Sequence, residues 1–352
     1  MLVKSGAFLF IRIVNRYLMN IPRRFLILTL PVILLLLIYF SGPAPDHPLF
    51  SSSMPVVPED PALLENYITA HEGLHKIKPD NEARIIWFDS TKRKTKYAVV
   101  YLHGFSASQM EGHPVHRKFA REFGCNLYLA RLADHGVDTT EVLLTFTADR
   151  FWESAKQALA IGKQIGEKVI LISTSTGGTA ALMLAAQFPE DVAGLINLSP
   201  NIAINDPAAF LLNDPWGLQI ARLVMKSKYR EWEASDERKK YWNNKYRLEA
   251  IVQLEELVER SMTKETFSKV KQPALTLYYF KNENEQDPEV KVSAMLEMNS
   301  LLGTPDSLKM TVAIPNAGAH VLGSPMASKD VKGVYREMEK FAMGKLKLQK
   351  VN

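Results

Sequence analysis

The sequence predicts an α/β protein with a mostly parallel sheet, and two observations carry that prediction. From residue 61 onward, apolar runs of strand length alternate with amphipathic segments of helix length, the pattern of a parallel sheet flanked by helices. Hydrophobic residues make up 47% of the 352 positions and charged residues 23%, a balance that supports a packed core and excludes disordered or collagen-like architecture. Cys125 is the single cysteine. No disulfide can form within the chain, and a count of one says nothing about redox compartment.

Lys and Arg number 43 against 38 acids. Five of the bases, Lys4, Arg12, Arg16, Arg23 and Arg24, stand in the first 24 residues without an acid among them, so residues 25–352 carry 38 groups of each sign. Phosphate-backbone binding needs basic groups spread over a contact face. A neutral remainder argues against a nucleic-acid partner.

Residues 1–24 are read as a basic cytoplasmic segment. The next 16 residues, Phe25–Phe40, are apolar apart from Thr29 and Tyr39, and no charge follows until Asp46. That length lies just below the roughly 17–25 residues of a membrane span and just above the roughly 7–15 of a signal-peptide core. The long basic flank, and Pro43 and Pro45 among the small residues that follow, favour an uncleaved transmembrane anchor over residues 25–41. The alternative is a signal segment removed on secretion. A buried core helix rarely has so uniform an apolar circumference. Basic residues before the span and Asp46, Glu59 and Asp60 after it keep the N-terminus cytoplasmic and the remainder extracytoplasmic. Pro43, Pro45, Pro48, Pro55, Pro58 and Pro61 make residues 42–61 an extended tether, expected to lift the following domain off the bilayer.

Within the domain, residues 62–345, strands are expected at Arg84–Phe88, Tyr97–Leu102, Asn126–Arg131, Val169–Thr174, Ala193–Leu198, Leu275–Phe280 and Lys309–Ile314. Asp60 before Pro61 reads as the N-cap of a helix over Leu63–His71. Further helices are expected over Thr147–Ile165, Gly178–Gln187, Val290–Leu301 and Val331–Ala342. The alternation breaks between Leu198 and Leu275. Residues 202–270, mostly helical by pattern and containing Trp216, Trp232 and Trp242, read as a cap over the strand ends, where ligands bind in open α/β sheets. The plainer role of those tryptophans is to pack the cap onto the body.

Two loops carry chemistry. The strand ending at Thr174 runs into Ser175-Thr176-Gly177-Gly178 and a small-residue helix, the outline of a nucleophile elbow. Such a turn doubles back with little room, so positions two before and two after the nucleophile must be small. Ser175 meets this with Ser173 and Gly177; Ser173 fails because Leu171 would precede it. A phosphate-cradling loop is the rival, but it requires a lysine that is not there. Upstream, the strand ending at Leu102 leads into His103-Gly104-Phe105-Ser106. A His-Gly turn can present a backbone N–H to an oxyanion, which pairs the N–H groups of Phe105 and Thr176 as donors. His103 itself reads as a brace for that loop. His113 and His116 at i, i+3 suggest a metal pair, but no third ligand accompanies them and a surface or supporting role fits better.

With these parts on the page, the chain resembles an α/β-hydrolase of the monoacylglycerol lipase and serine aminopeptidase-like group. The likeness spans roughly Arg84–Ala342 and rests on His103-Gly104, Ser173–Gly177, Phe188-Pro189, Leu198-Ser199-Pro200, Asp134-His135-Gly136 and Ala317-Gly318-Ala319-His320. It implies an α/β-hydrolase fold with a helical cap and a triad in the order serine, acid, histidine. His320 then stands as general base. Asp287, in Asp287-Pro288-Glu289-Val290, stands as the acid, with Glu283 and Glu285 as rivals because the loop before it is longer than usual. The implied activity is hydrolysis of acyl esters such as monoacylglycerols or lysolipids through an acyl-enzyme, with no cofactor and no metal. Two alternatives stay open: an aminopeptidase, for which Glu231, Glu233, Asp236 and Glu237 of the cap could hold a free amino terminus, and an inactive hydrolase fold used for binding.

Overall fold

The computed structural model describes residues 23–351, with side chains from residue 29 on. In chain order the strands are β1 (Arg84–Ile86), β2 (Thr95–Leu102), β3 (Asn126–Leu129), β4 (Gly166–Thr174), β5 (Val192–Leu198), β6 (Tyr229–Glu231), β7 (Lys245–Arg247), β8 (Ala274–Tyr278), β9 (Phe280–Asn282), β10 (Glu285–Gln286) and β11 (Lys309–Ala313). Seven form one sheet in the order β1-β3-β2-β4-β5-β8-β11. All neighbours in it run parallel except β1, which pairs antiparallel with β3. Each of the seven expected strands takes its place here, with ends shifted by up to three residues.

The sheet is covered on both faces, so its central strands are apolar without alternation. Every residue from Ala98 to Leu102 and from Val169 to Thr174 is buried. Successive side chains still serve opposite cores, because strand side chains alternate faces. Val100, Leu102 and Leu171 pack with the helices Ala148–Ile165 and Thr176–Gln187, while Val99, Tyr101, Ile170 and Ile172 pack with Val115–Glu122 and Val331–Gly344.

Local signals account for several helix starts. The Asp60 carboxylate accepts from Ala62 N and Leu63 N at the start of Pro61–Glu72, and Thr147 caps Ala148–Ile165 by accepting from Arg150 N. Such caps contribute about 1 kcal/mol each. The helix Val115–Glu122 was not expected. It buries Val115, Phe119 and Ala120, one turn apart, a pattern too short to stand out from the sequence.

The cap is mostly helical, as expected. It holds the helices Gly217–Met225, Asp236–Tyr241, Leu248–Ser261 and Lys264–Lys269, and adds the short strands β6 and β7, paired antiparallel. Trp242 packs the cap onto the body against Ala107 and Val321, with Trp232 beside it. Trp216 does something else: its Nε1–H donates to Ile38 O at 3.0 Å.

The apolar segment forms the helix Arg23–Phe40, whose described side chains are exposed from Leu30 through Phe40. Among the described residues no helix is long and apolar enough to cross a membrane. The basic segment before Arg23 lies outside the described residues. Tyr39 Oη donates to Asp214 at 3.2 Å, so the end of this helix rests on the cap. The Pro-rich stretch is without regular secondary structure up to Pro58, yet it does not stand off the domain as expected. Leu49 N and Phe50 N donate to Asp149, Trp152 Nε1 donates to Ser51 O at 2.8 Å, and the buried Lys156 donates to Ser53 O at 2.7 Å. The prolines make the segment extended; side chains of the helix Ala148–Ile165 turn it into a strap.

Candidate active site

The site forms at the C-terminal ends of β2, β4, β8 and β11. β4 leads into Ser175, whose φ of 52° and ψ of −121° place a non-glycine residue where only a constrained turn holds one. Ser175 N donates to Leu198 O, and Ser175 O accepts from Gly178 N and Asn201 N, which fixes the turn from both sides. The small-residue requirement is visible in the packing. A Cβ on Gly177 would lie 2.1 Å from Leu102 O, and Ser173 fits because its buried hydroxyl donates to Asn197 Oδ1 at 2.8 Å. Ser175 is 8% exposed.

The oxyanion loop follows β2. His103 is fully buried: its Nε2 accepts from Leu132 N at 3.0 Å, so its Nδ1–H donates to Gly104 O at 2.9 Å. Burial, together with the neighbouring His135, holds its pKa well below the ordinary range. It is therefore a neutral brace. Gly104 O belongs to the same peptide as the Phe105 N–H, so the bond from His103 polarises that donor. The Phe105 ring is held by Phe146 and Tyr246, each 5.3 Å away, and by His135 at 5.6 Å. Among the described residues no acceptor takes the Phe105 or Thr176 backbone N–H. The second is the first N–H of a helix, a place where donors lack internal partners.

The acid and base meet. Asp287, 1% exposed, accepts from His320 Nδ1 through Oδ2 at 2.8 Å, while its Oδ1 accepts from Glu289 N at 3.0 Å and Val290 N at 3.1 Å. Burial raises the pKa of Asp287, but the attraction of His320 and these hydrogen bonds outweigh it and leave the value lowered. Burial lowers that of His320, and the facing carboxylates Asp287, Glu111 and Glu289 outweigh it and leave the value raised. The rival acids are elsewhere. The extra loop length is taken up by the small hairpin of β9 and β10, where Glu283 is exposed and Glu285 pairs with Lys281 at 2.9 Å. No hydrogen bond joins Ser175 Oγ to the imidazole. Contacts of this kind often tighten only when substrate binds.

The remaining expectations sort themselves by burial. His116 is not a surface residue: it is buried, bonds to Gln109 O at 2.8 Å and packs on Tyr101, and burial pushes its pKa down to about 3. Among the described residues no group of three or more His, Cys, Asp or Glu could hold a metal. Glu231, Glu233, Asp236 and Glu237 are all exposed, and all but Glu233 are paired with lysines. One site residue had no sequence signal at all. Glu111 is 2% exposed and accepts from Gly104 N at 2.6 Å, in a short turn that the strand-and-helix pattern passes over.

The sequence model of the alpha/beta hydrolase family matches residues 99–336. No curated protein matches in sequence. Among solved structures, the metagenome-derived lipolytic enzymes LipS and LipT are similar with a TM-score of 0.59 at 19% identity, over 75% of this chain and 98% of that one. A monoacylglycerol lipase from Paleococcus ferrophilus is similar with a TM-score of 0.55 at 13% identity, over 74% and 98% of the two chains. A soluble variant of monoglyceride lipase from Saccharomyces cerevisiae gives 0.53 at 12%, over 74% and 89%. Sheet order, elbow and family match agree: the chain belongs to the alpha/beta hydrolase family.

Proposed function

We propose that the protein is a serine hydrolase of carboxylic esters. The observation that carries this reading is the buried Asp287–His320 pair at 2.8 Å, and the serine on a strained turn at the end of β4 supports it. His320, held in one tautomer by Asp287, removes the proton of Ser175, and Ser175 attacks the ester carbonyl. The N–H groups of Phe105 and Thr176 stabilise the oxyanion, each contributing on the order of 3 kcal/mol by precedent. The alcohol leaves with a proton from His320, and water then hydrolyses the acyl-enzyme by the same route. The steps need no cofactor.

Acyl esters of lipid character, such as monoacylglycerols or lysolipids, are the favoured substrates. The support is the apolar helix exposed from Leu30 to Phe40, together with structural relatives named as lipases and monoacylglycerol lipases. That helix is read as an uncleaved membrane anchor that leaves the catalytic domain outside the cytoplasm. The aminopeptidase reading loses ground because the cap acids face solvent.

Ser175→Ala should lower kcat on short p-nitrophenyl esters by a factor on the order of 10^6 and abolish fluorophosphonate labelling, with the circular dichroism spectrum unchanged. Turnover that persists in this variant would refute the triad. A native protein that neither labels nor turns over would point to a binding fold. Faster cleavage of aminoacyl anilides than of acyl esters would point to a peptidase.

A further inference from the structure

We infer that Glu111 is a positioning residue of this site: its carboxyl group fixes the oxyanion loop at Gly104 against the nucleophile. The inference rests on the serine hydrolase reading above and adds a residue to it.

The contacts around Glu111 are unusual for a surface-type side chain. It lies in the turn Gln109–Gly112 and is buried to 2% exposure. Its Oε2 accepts from Gly104 N at 2.6 Å, a short charge-assisted bond. A Cβ on Gly104 would stand 2.9 Å from Ser175 Cβ and 3.0 Å from both carboxylate oxygens of Glu111. The loop is thus wedged between the nucleophile and this carboxylate. His103 holds the peptide on the other side of Gly104 through its carbonyl. With both its N–H and its C=O tied, Gly104 cannot rotate, and the direction of the Phe105 N–H is set. The chain beyond His320 returns over the same turn, where a Cβ on Gly323 would meet Glu111 O at 3.2 Å.

Packing alone does not explain a carboxylate here. A buried charge costs several kcal/mol unless compensated, and an apolar side chain would fill the space without that cost. The site and the cap supply part of the compensation: Gly104 N–H, His320, Arg238 and Trp242 draw the pKa of Glu111 down, but burial outweighs them and leaves it raised, at about 7. Arg238 stacks over Trp232 and Trp242, 4.8 and 5.1 Å from their ring centres, and also faces Glu289. Asn243 N donates to Ser106 O at 2.7 Å, so the cap grips the loop that Glu111 holds from below. His320 in turn faces Asp287, Glu111 and Glu289.

Two substitutions separate geometry from charge. Glu111→Ala removes both; Glu111→Gln keeps an acceptor for Gly104 N–H and removes the charge. In the full-length protein with a short acyl ester, Glu111→Ala should lower kcat by roughly 10- to 100-fold with KM changed less than about threefold, below the loss of a whole oxyanion donor. Glu111→Gln should recover most of kcat. Unchanged kcat in Glu111→Ala, or a loss in Glu111→Gln as large as that in Glu111→Ala, would overturn the inference. Should Glu111→Ala not fold, Glu111→Leu, which fills the space without an acceptor, takes its place. Ser175→Ala run alongside keeps the two readings apart: turnover surviving there refutes the triad, whereas silent Glu111 variants in an enzyme that depends on Ser175 refute only the role of Glu111.

Discussion

Asp287 has both carboxylate oxygens engaged, one by two backbone N–H groups and one by His320, so it is fixed before any substrate arrives. Its charge and the other facing carboxylates raise the pKa of His320. A general base works only when neutral, so kcat/KM should fall as pH drops through a value above the ordinary histidine pKa of about 6.5. Asp287→Asn removes the larger share of that attraction. It should cut kcat by a factor on the order of 10^4 and move the acid limb to lower pH, as kcat/KM profiles would show; a limb that stays in place would mean that another group titrates. Residues differ in how far the sequence reveals them. Ser175 is legible because the steric demand of its turn is met by near neighbours, Ser173 and Gly177. Asp287 is partly legible, since the hairpin that separates it from Glu283 and Glu285 shows only as loop length. Glu111 is illegible, because its burial comes from the loop beyond His320 and from the cap, both more than 100 residues away in sequence.

Among elements, the strap decides most about stability. Removing residues up to 59 from a chain that begins at residue 42 takes away the acceptors of Trp152 Nε1 and Lys156 Nζ. It also uncovers the core beneath Phe50, Met54 and Val57. Lys156, buried beneath the strap, would keep Glu153 at 2.9 Å and the Trp152 ring but lose its backbone acceptor. A lost bond to a charged group costs about 1.5–3 kcal/mol, and at about 2–4 °C per kcal/mol for a domain of this size the shorter chain should melt on the order of 5–10 °C lower by calorimetry. Equal melting temperatures would make the strap a passive cover. The sequence foretold the strap's extension from its prolines but not its docking, which depends on side chains 100 residues further on. The β6–β7 pair escaped for a similar reason. Three-residue strands are too short for period-two alternation to register, and their pairing is set by the fold of the cap.

For the whole molecule, the seven-stranded sheet was legible almost throughout, because strands buried on both faces are written as unbroken apolar runs. Charge supports the proposed anchor: the basic excess of the first 24 residues precedes the apolar helix, the order that the positive-inside bias gives an anchored protein with an outward domain. The full-length protein should therefore stay in the membrane fraction after an alkaline carbonate wash, whereas a chain beginning at residue 42 should be recovered in the supernatant with its activity on short esters intact. Release of the full-length chain, or of a shortened form of it, would refute the anchor. The helix Arg23–Phe40 does not end in free solvent. Trp216 Nε1 holds Ile38 O and Asp214 holds Tyr39 Oη, so its last turn is bolted to the cap. Any movement of that part of the cap must break those two bonds or carry the helix with it.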